Sequence, residues 1–198
     1  MGTPSSYLPL THKSGSDEQR VQVDIGSTGF ALGREFRTFV RLNHTSATTI
    51  YLRLIAPINF NLLRQKLTLV SGAAEATAWL GATPSSFVGA TVPIIGRNRQ
   101  IGREGYPTEA DPPYVAQLTF EKASSGTFSG GTEVDVLQVN SGTNQGSNSS
   151  SNVDSESDVR GLPPDTYWLK IGPIAGITNT DQVIGTYELV FEERPADL

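Results

Sequence analysis

The chain contains no cysteine and only two histidines, His12 and His44. Without thiols there is no disulfide framework, and two imidazoles fall short of the three or four ligands that hold zinc. Neither histidine has an acid or a nucleophile at a recognisable spacing, so a catalytic triad has no support. Long apolar runs are also missing, and no segment approaches the roughly 20 consecutive apolar residues of a membrane-spanning helix. Basic charge is scarce: the net charge is −5, so the basic face that nucleic acid demands is absent. Residues 1–16 have neither the charged start nor the apolar centre of a secretory signal, which sets the expectation that the standard export route is not used. The zero cysteine count fits a reducing compartment, or assembly inside a cell.

What is present is a series of strand patterns. Val21-Gln22-Val23-Asp24-Ile25 alternates apolar and polar residues without a break. Residues 36–42 place Phe36, Thr38, Val40 and Leu42 opposite Arg37, Phe39 and Arg41. Residues 48–56 set Ile50, Leu52 and Leu54 against Tyr51, Arg53 and Ile55. Further strands are predicted at 67–70, 114–120, 133–139, 166–171 and 186–191, all rich in the β-branched and aromatic residues that suit a pleated, half-buried surface. In 133–139 the apolar phase slips between Val136 and Leu137, which reads as a β-bulge or as a strand buried on both faces. The alanine-rich stretch at 73–80 follows Ser71-Gly72, a turn signal, and is predicted to be the second strand of a hairpin.

The 20 glycines and 12 prolines fall mainly between these runs, as strand punctuation. The expected fold is all-β, a β-sandwich or jelly-roll-like domain over residues 18–198 with a flexible N-terminal arm at 1–17. A chain of this length buries roughly 70% of its unfolded surface and needs no metal or disulfide for stability. The last strand ends in Glu192-Glu193-Arg194-Pro195, charge and proline that would blunt that end.

Two segments lack strand character. The arm is polar, with Tyr7, Leu8 and Leu10 as its anchors, and reads either as a frayed terminus or as an element that orders on a neighbouring subunit. Residues 140–158 form a Ser/Asn/Gly-rich insertion, predicted to be a loop that projects into solvent or wraps a partner. Its acids Asp154, Glu156 and Asp158 alternate like calcium ligands, but lack the turn glycine and the bidentate glutamate, and a solvated loop is the plainer reading. Gly26-Ser27-Thr28-Gly29 lacks the lysine and helix of a phosphate loop and reads as a turn. Asn43-His44-Thr45 and Asn148-Ser149-Ser150 match a glycosylation pattern that carries weight only with export. Arg97, Arg99 and Arg103 could fork onto a partner's carboxylates, or form a solvated edge that discourages aggregation. Neither a cofactor nor a metal is implied.

Three stretches together resemble a family. They are Pro93-Ile94-Ile95-Gly96-Arg97-Asn98, Gly130-Gly131-Thr132-Glu133-Val134-Asp135-Val136-Leu137, and Arg160-Gly161-Leu162-Pro163-Pro164-Asp165-Thr166-Tyr167-Trp168-Leu169-Lys170-Ile171. In this order they are similar to small virion structural proteins of short-tailed bacteriophages, some of which decorate or cement the capsid. The resemblance covers most of the chain from about Phe36 onwards, and its motifs are structural rather than catalytic. It implies a non-enzymatic protein located in the virion and assembled in the host cytoplasm. The implied partner is the major capsid protein or another virion protein, with homo-oligomers, trimers among them, and without nucleic acid or membrane. The contact residues would be Tyr7, Leu8, Leu10, Arg97, Arg99 and Arg103. The C-terminal part also resembles accessory and carbohydrate-associated β-sandwich modules. There, Leu-Pro-x-Gly-Thr-Tyr opens a strand and Gly-x-Tyr-x-Leu closes the sandwich. Asp165 stands at the glycine position here, and Gly185-Thr186-Tyr187-Glu188-Leu189 supplies the closing piece. By itself that resemblance identifies a fold element; the alternative function is a tail- or fibre-associated receptor- or carbohydrate-binding β-sandwich module, with Trp79 and Trp168 as the obvious sugar platforms unless they serve the core.

Overall fold

The computed structural model describes residues 28–98, 114–141, 149–153, 160–177 and 182–195. The arm with Tyr7, Leu8 and Leu10, the strand expected at 21–25, and Arg99, Arg103, Asp154, Glu156 and Asp158 lie outside the described residues. Among the described residues a single helical turn, α1 (Thr28–Ala31), precedes eleven strands. They are β1 (Glu35–His44), β2 (Ile50–Ala56), β3 (Asn59–Leu80), β4 (Thr83–Val92), β5 (Ile94–Gly96) and β6 (Thr119–Ser129). The remaining five are β7 (Thr132–Ser141), β8 (Ser149–Val153), β9 (Arg160–Leu162), β10 (Asp165–Gly172) and β11 (Val183–Arg194).

All pairings are antiparallel, and the sheet curls into a two-layered sandwich because two stretches of chain serve both layers. Residues 59–71 of β3 pair with β11, whereas residues 72–80 of the same strand pair with β7. One layer therefore runs β5-β1-β11-β3, with β8 and β9 beyond β3; the other runs β4-β6-β2-β10-β3-β7. The edge strands β4 and β5 are separated by Pro93 alone, so the chain itself joins the two layers there. Proline has no N–H to give a ladder, and its free carbonyl accepts a bond of 3.0 Å from the buried Thr38 hydroxyl.

Between the layers lies one core. Phe36, Thr38, Val40 and Leu42 are all buried, as are Ile50, Leu52 and Leu54, so both predicted alternations point inward in the predicted phase. Leu67, Leu69, Leu169, Ile171, Tyr187, Leu189 and Phe191 complete the centre. Each such side chain is worth about 1.5–3 kcal/mol when fully buried.

Several local expectations are corrected. Ser71-Gly72 is not a hairpin turn: with Gly72 at φ 84°, the strand bends there and continues in the other layer. Ala73, Ala74 and Ala76 are buried just past the bend, where larger side chains would crowd. The predicted strand at 114–120 holds strand geometry only from Thr119, because the N–H groups of Gln117 and Leu118 bond a side-chain carboxylate instead of a neighbouring strand. That carboxylate belongs to Glu193, which the sequence suggested was an exposed, edge-blunting charge. Glu192 and Glu193 are both buried. Finally, part of the polar insertion is ladder: Asn140 and Ser141 end β7, and β8 pairs with residues 65–69 of β3. Backbone pairing there needs no apolar side chains, so the composition concealed it.

Candidate functional site

The bend in β3 brings its two ends together at one end of the sandwich. Phe60 and Leu62 from the first half face Ala78 and Leu80 from the second across a cavity of about 150 Å³. On the far side of β3 the outermost strands are β9 in one layer and β7 in the other. The Arg160 guanidinium of β9 donates to the Asp135 carboxylate of β7 at 2.6 Å, strapping the two layers across the cavity mouth. Arg160 is one-third exposed, so the strap contributes at most modestly to stability.

β7 has its single irregularity at Val134, where Asp135 lies opposite Ala78 but Glu133 lies opposite Trp79. The bulge is therefore two residues earlier than the phase slip suggested. Val136 and Leu137 sit in regular register, the first outward and the second inward. Val134 and Val136 are 47% and 46% exposed, side by side on an edge strand. Among the described residues β7 has no ladder partner on its outer side.

The inner end of the cavity is polar. The buried Gln65 side chain lines it, and its Nε2 has no hydrogen-bond partner. Behind it, outside the cavity wall, stands the hydroxyl of the wholly buried Tyr187. The Gln65 amide is near enough to oppose its pKa shift as a donor, yet outside good hydrogen-bond geometry. Burial pushes the Tyr187 phenol upward, and the Asp135 carboxylate adds to the shift. Tyr167, on another wall, is satisfied: its hydroxyl donates to the Pro163 carbonyl at 2.7 Å. Its pKa is raised to about 12, mainly by burial and further by Asp165.

The candidates read from sequence fall elsewhere. Arg97 is engaged within the chain, its guanidinium paired with the buried Glu35 and its N–H bonded to the Glu35 carbonyl at 2.8 Å. Burial raises the Glu35 carboxyl above its usual range, and Arg97 opposes that shift. Trp168 is only 4% exposed, covered by Phe87 and Phe128 at ring distances of 5.2 and 5.3 Å, so it offers no sugar platform. Ser86 (φ 51°) and Gly126 (φ 80°) form the bulge next to Phe87; a Cβ on Gly126 would overlap the Ser86 carbonyl. Trp79 is half-buried, with the Lys170 ammonium 5.2 Å from its ring centre. His44 Nδ1 lies 2.9 Å from the carbonyl of Thr45.

Gln65, Asp135, Arg160 and the two valines were missed. Only the doubled phase of Val134, Val136, Leu137 and Val139 signalled an outward pair. Two of the three stretches that carry the phage resemblance, 130–137 and 160–171, supply β7, β9 and β10 of this end. No protein-family model matches the chain, and no curated protein or solved structure matches it either.

Proposed function

We propose that this chain is a non-enzymatic structural protein of a bacteriophage virion, a decoration or cement subunit that binds and stabilises the head shell. The observation that supports this reading is the outer edge of β7. Past the bulge at Val134 and the ion-paired Asp135 it runs in regular register to Ser141, has neither proline nor lysine, and carries Val136 exposed, with Val134 exposed at the bulge. Proteins ordinarily blunt such an edge, because unpaired N–H and C=O groups beside apolar side chains invite another strand. A strand contributed by the major capsid protein or another virion protein would pair that backbone and cover both valines. The sandwich behind the edge suits the task, since layers joined at Gly72 and Pro93 present it on a fixed platform. Repetition over the shell and self-association, with trimers as one arrangement, would raise the effective concentration for each further contact.

Co-sedimentation with capsid shells lacking the protein tests this. Saturation at a fixed ratio to the shell subunit is expected, as is loss of binding in Val136→Lys at unchanged thermal stability. Failure of the folded protein to bind would overturn the decoration role and favour a tail or fibre component that recognises a host receptor or carbohydrate.

A further inference from the structure

We infer that the cavity between the two layers, beneath the Arg160–Asp135 strap, is a binding site for one small molecule: a single six-membered ring bearing one hydroxyl or carbonyl oxygen. Three independent features lead there, and none depends on the virion reading.

The first is size. A cavity of about 150 Å³ is close to the volume in which a hydrocarbon-lined protein cavity holds a benzene ring. The second is lining. Leu54, Leu62, Leu80, Leu162, Leu169 and Leu189 contribute apolar surface, which favours a ring over a cluster of waters that would each need two or more polar partners. The third is the polar end. Buried polar atoms in folded proteins nearly always have partners, yet Gln65 Nε2 and the Tyr187 hydroxyl have none. The Gln65 NH2 has two hydrogens, of which the neighbouring Tyr187 oxygen can accept at most one, so the group it lacks in the cavity is an acceptor oxygen. Gln65 is buried and lines the cavity, whereas the fully buried Tyr187 lies outside its wall, beside the Gln65 amide. The donor that faces the cavity is therefore Gln65 Nε2. The Arg160–Asp135 ion pair forms part of the cavity wall, and Arg160 is itself one-third exposed to solvent.

The chemistry sets a diagnostic ranking. A purely apolar cavity prefers toluene to phenol, because phenol must leave its hydroxyl unpaired on entry. A cavity with waiting donors reverses the order, since phenol satisfies groups that toluene leaves orphaned. Titration of the full chain with each probe, followed by amide and side-chain NMR shifts, reads this directly. Saturable one-to-one binding of phenol is expected, with the largest change at the Gln65 side-chain amide and at least tenfold weaker binding of toluene. In Gln65→Leu, which keeps the volume and removes the donor, the preference is expected to fall at least tenfold or invert. Ala78→Leu, which fills the cavity, is expected to abolish binding of both probes. Absence of saturable shifts at the cavity residues would overturn the inference, as would a toluene preference in the wild type. A phenol preference that survives Gln65→Leu unchanged would overturn the assignment of the polar end. Should either variant fold poorly, the wild-type ranking and the location of its shifts decide alone.

Discussion

At Glu193 a buried carboxylate meets three donors, whereas at Gln65 and Tyr187 two equally buried polar groups meet none. The Tyr114 hydroxyl donates to Glu193 at 2.7 Å, and the N–H groups of Gln117 and Leu118 donate at 2.9 and 2.8 Å. The carboxylate stands in for a neighbouring strand and holds residues 114–118 against the end of β11. At the cavity the same burial leaves hydrogen-bonding capacity unused. Satisfied groups in a low-dielectric interior stiffen a structure, and unsatisfied ones weigh against it. The first cluster is thus a latch that belongs to folding, and the second is capacity held open for a ligand.

The comparison breaks most visibly at Glu193. Replacing it with alanine orphans two backbone donors and a phenol, at about 1–3 kcal/mol for each buried group left unpaired. Glu193→Ala is therefore expected to lose about 3 kcal/mol or more in urea denaturation. A loss under about 1 kcal/mol would remove the latch from the stability of the fold.

A middle-sized effect is expected in alkali. Burial raises Tyr114 to about 12, and the Glu193 carboxylate adds to the shift, while an unfolded tyrosine ionises near about 10. The folded state therefore keeps this proton after the unfolded state has shed it. The stability is fully present below the unfolded value and falls as pH rises towards about 12. Tyr167, also raised to about 12, adds to the slope. Denaturation midpoints across this range should show a shallower decline in Tyr114→Phe; an unchanged slope would sever the phenol from the latch.

The smallest effects carry the sharpest contrast. Tyr167→Phe removes a made bond to Pro163 and is expected to cost about 1 kcal/mol. Tyr187→Phe removes an unpaired hydroxyl and is expected to leave stability unchanged or raise it by up to about 1 kcal/mol. Equal losses in the two variants would mean that the Tyr187 hydroxyl is satisfied after all.

Legibility in the sequence followed the range of the interactions. The alternation of Phe36, Thr38, Val40 and Leu42 is local, and it marked the inward face correctly. Ser71-Gly72 was visible as a break, yet a positive φ serves a corner within one strand as well as a turn between two. Val134 and Val136 looked like half of a core strand, because a valine facing a partner and a valine facing a core are the same residue. Charge misled at Glu193, where a carboxylate on the last strand reads as a solvated end until donors 76 and 79 positions away are placed against it.

The sequence by itself determined the all-β class, the central parts of β1, β2, β3, β7, β10 and β11, and the faces that β1 and β2 turn inward, since a period of two is written in consecutive residues. Only the tertiary structure decided that β3 serves both layers, that its ends enclose a cavity, and that Glu193 is paired while Gln65 and Tyr187 are not. Hydrogen-bond satisfaction inside a sandwich depends on groups far apart in the chain, and no local pattern encodes which of them will meet.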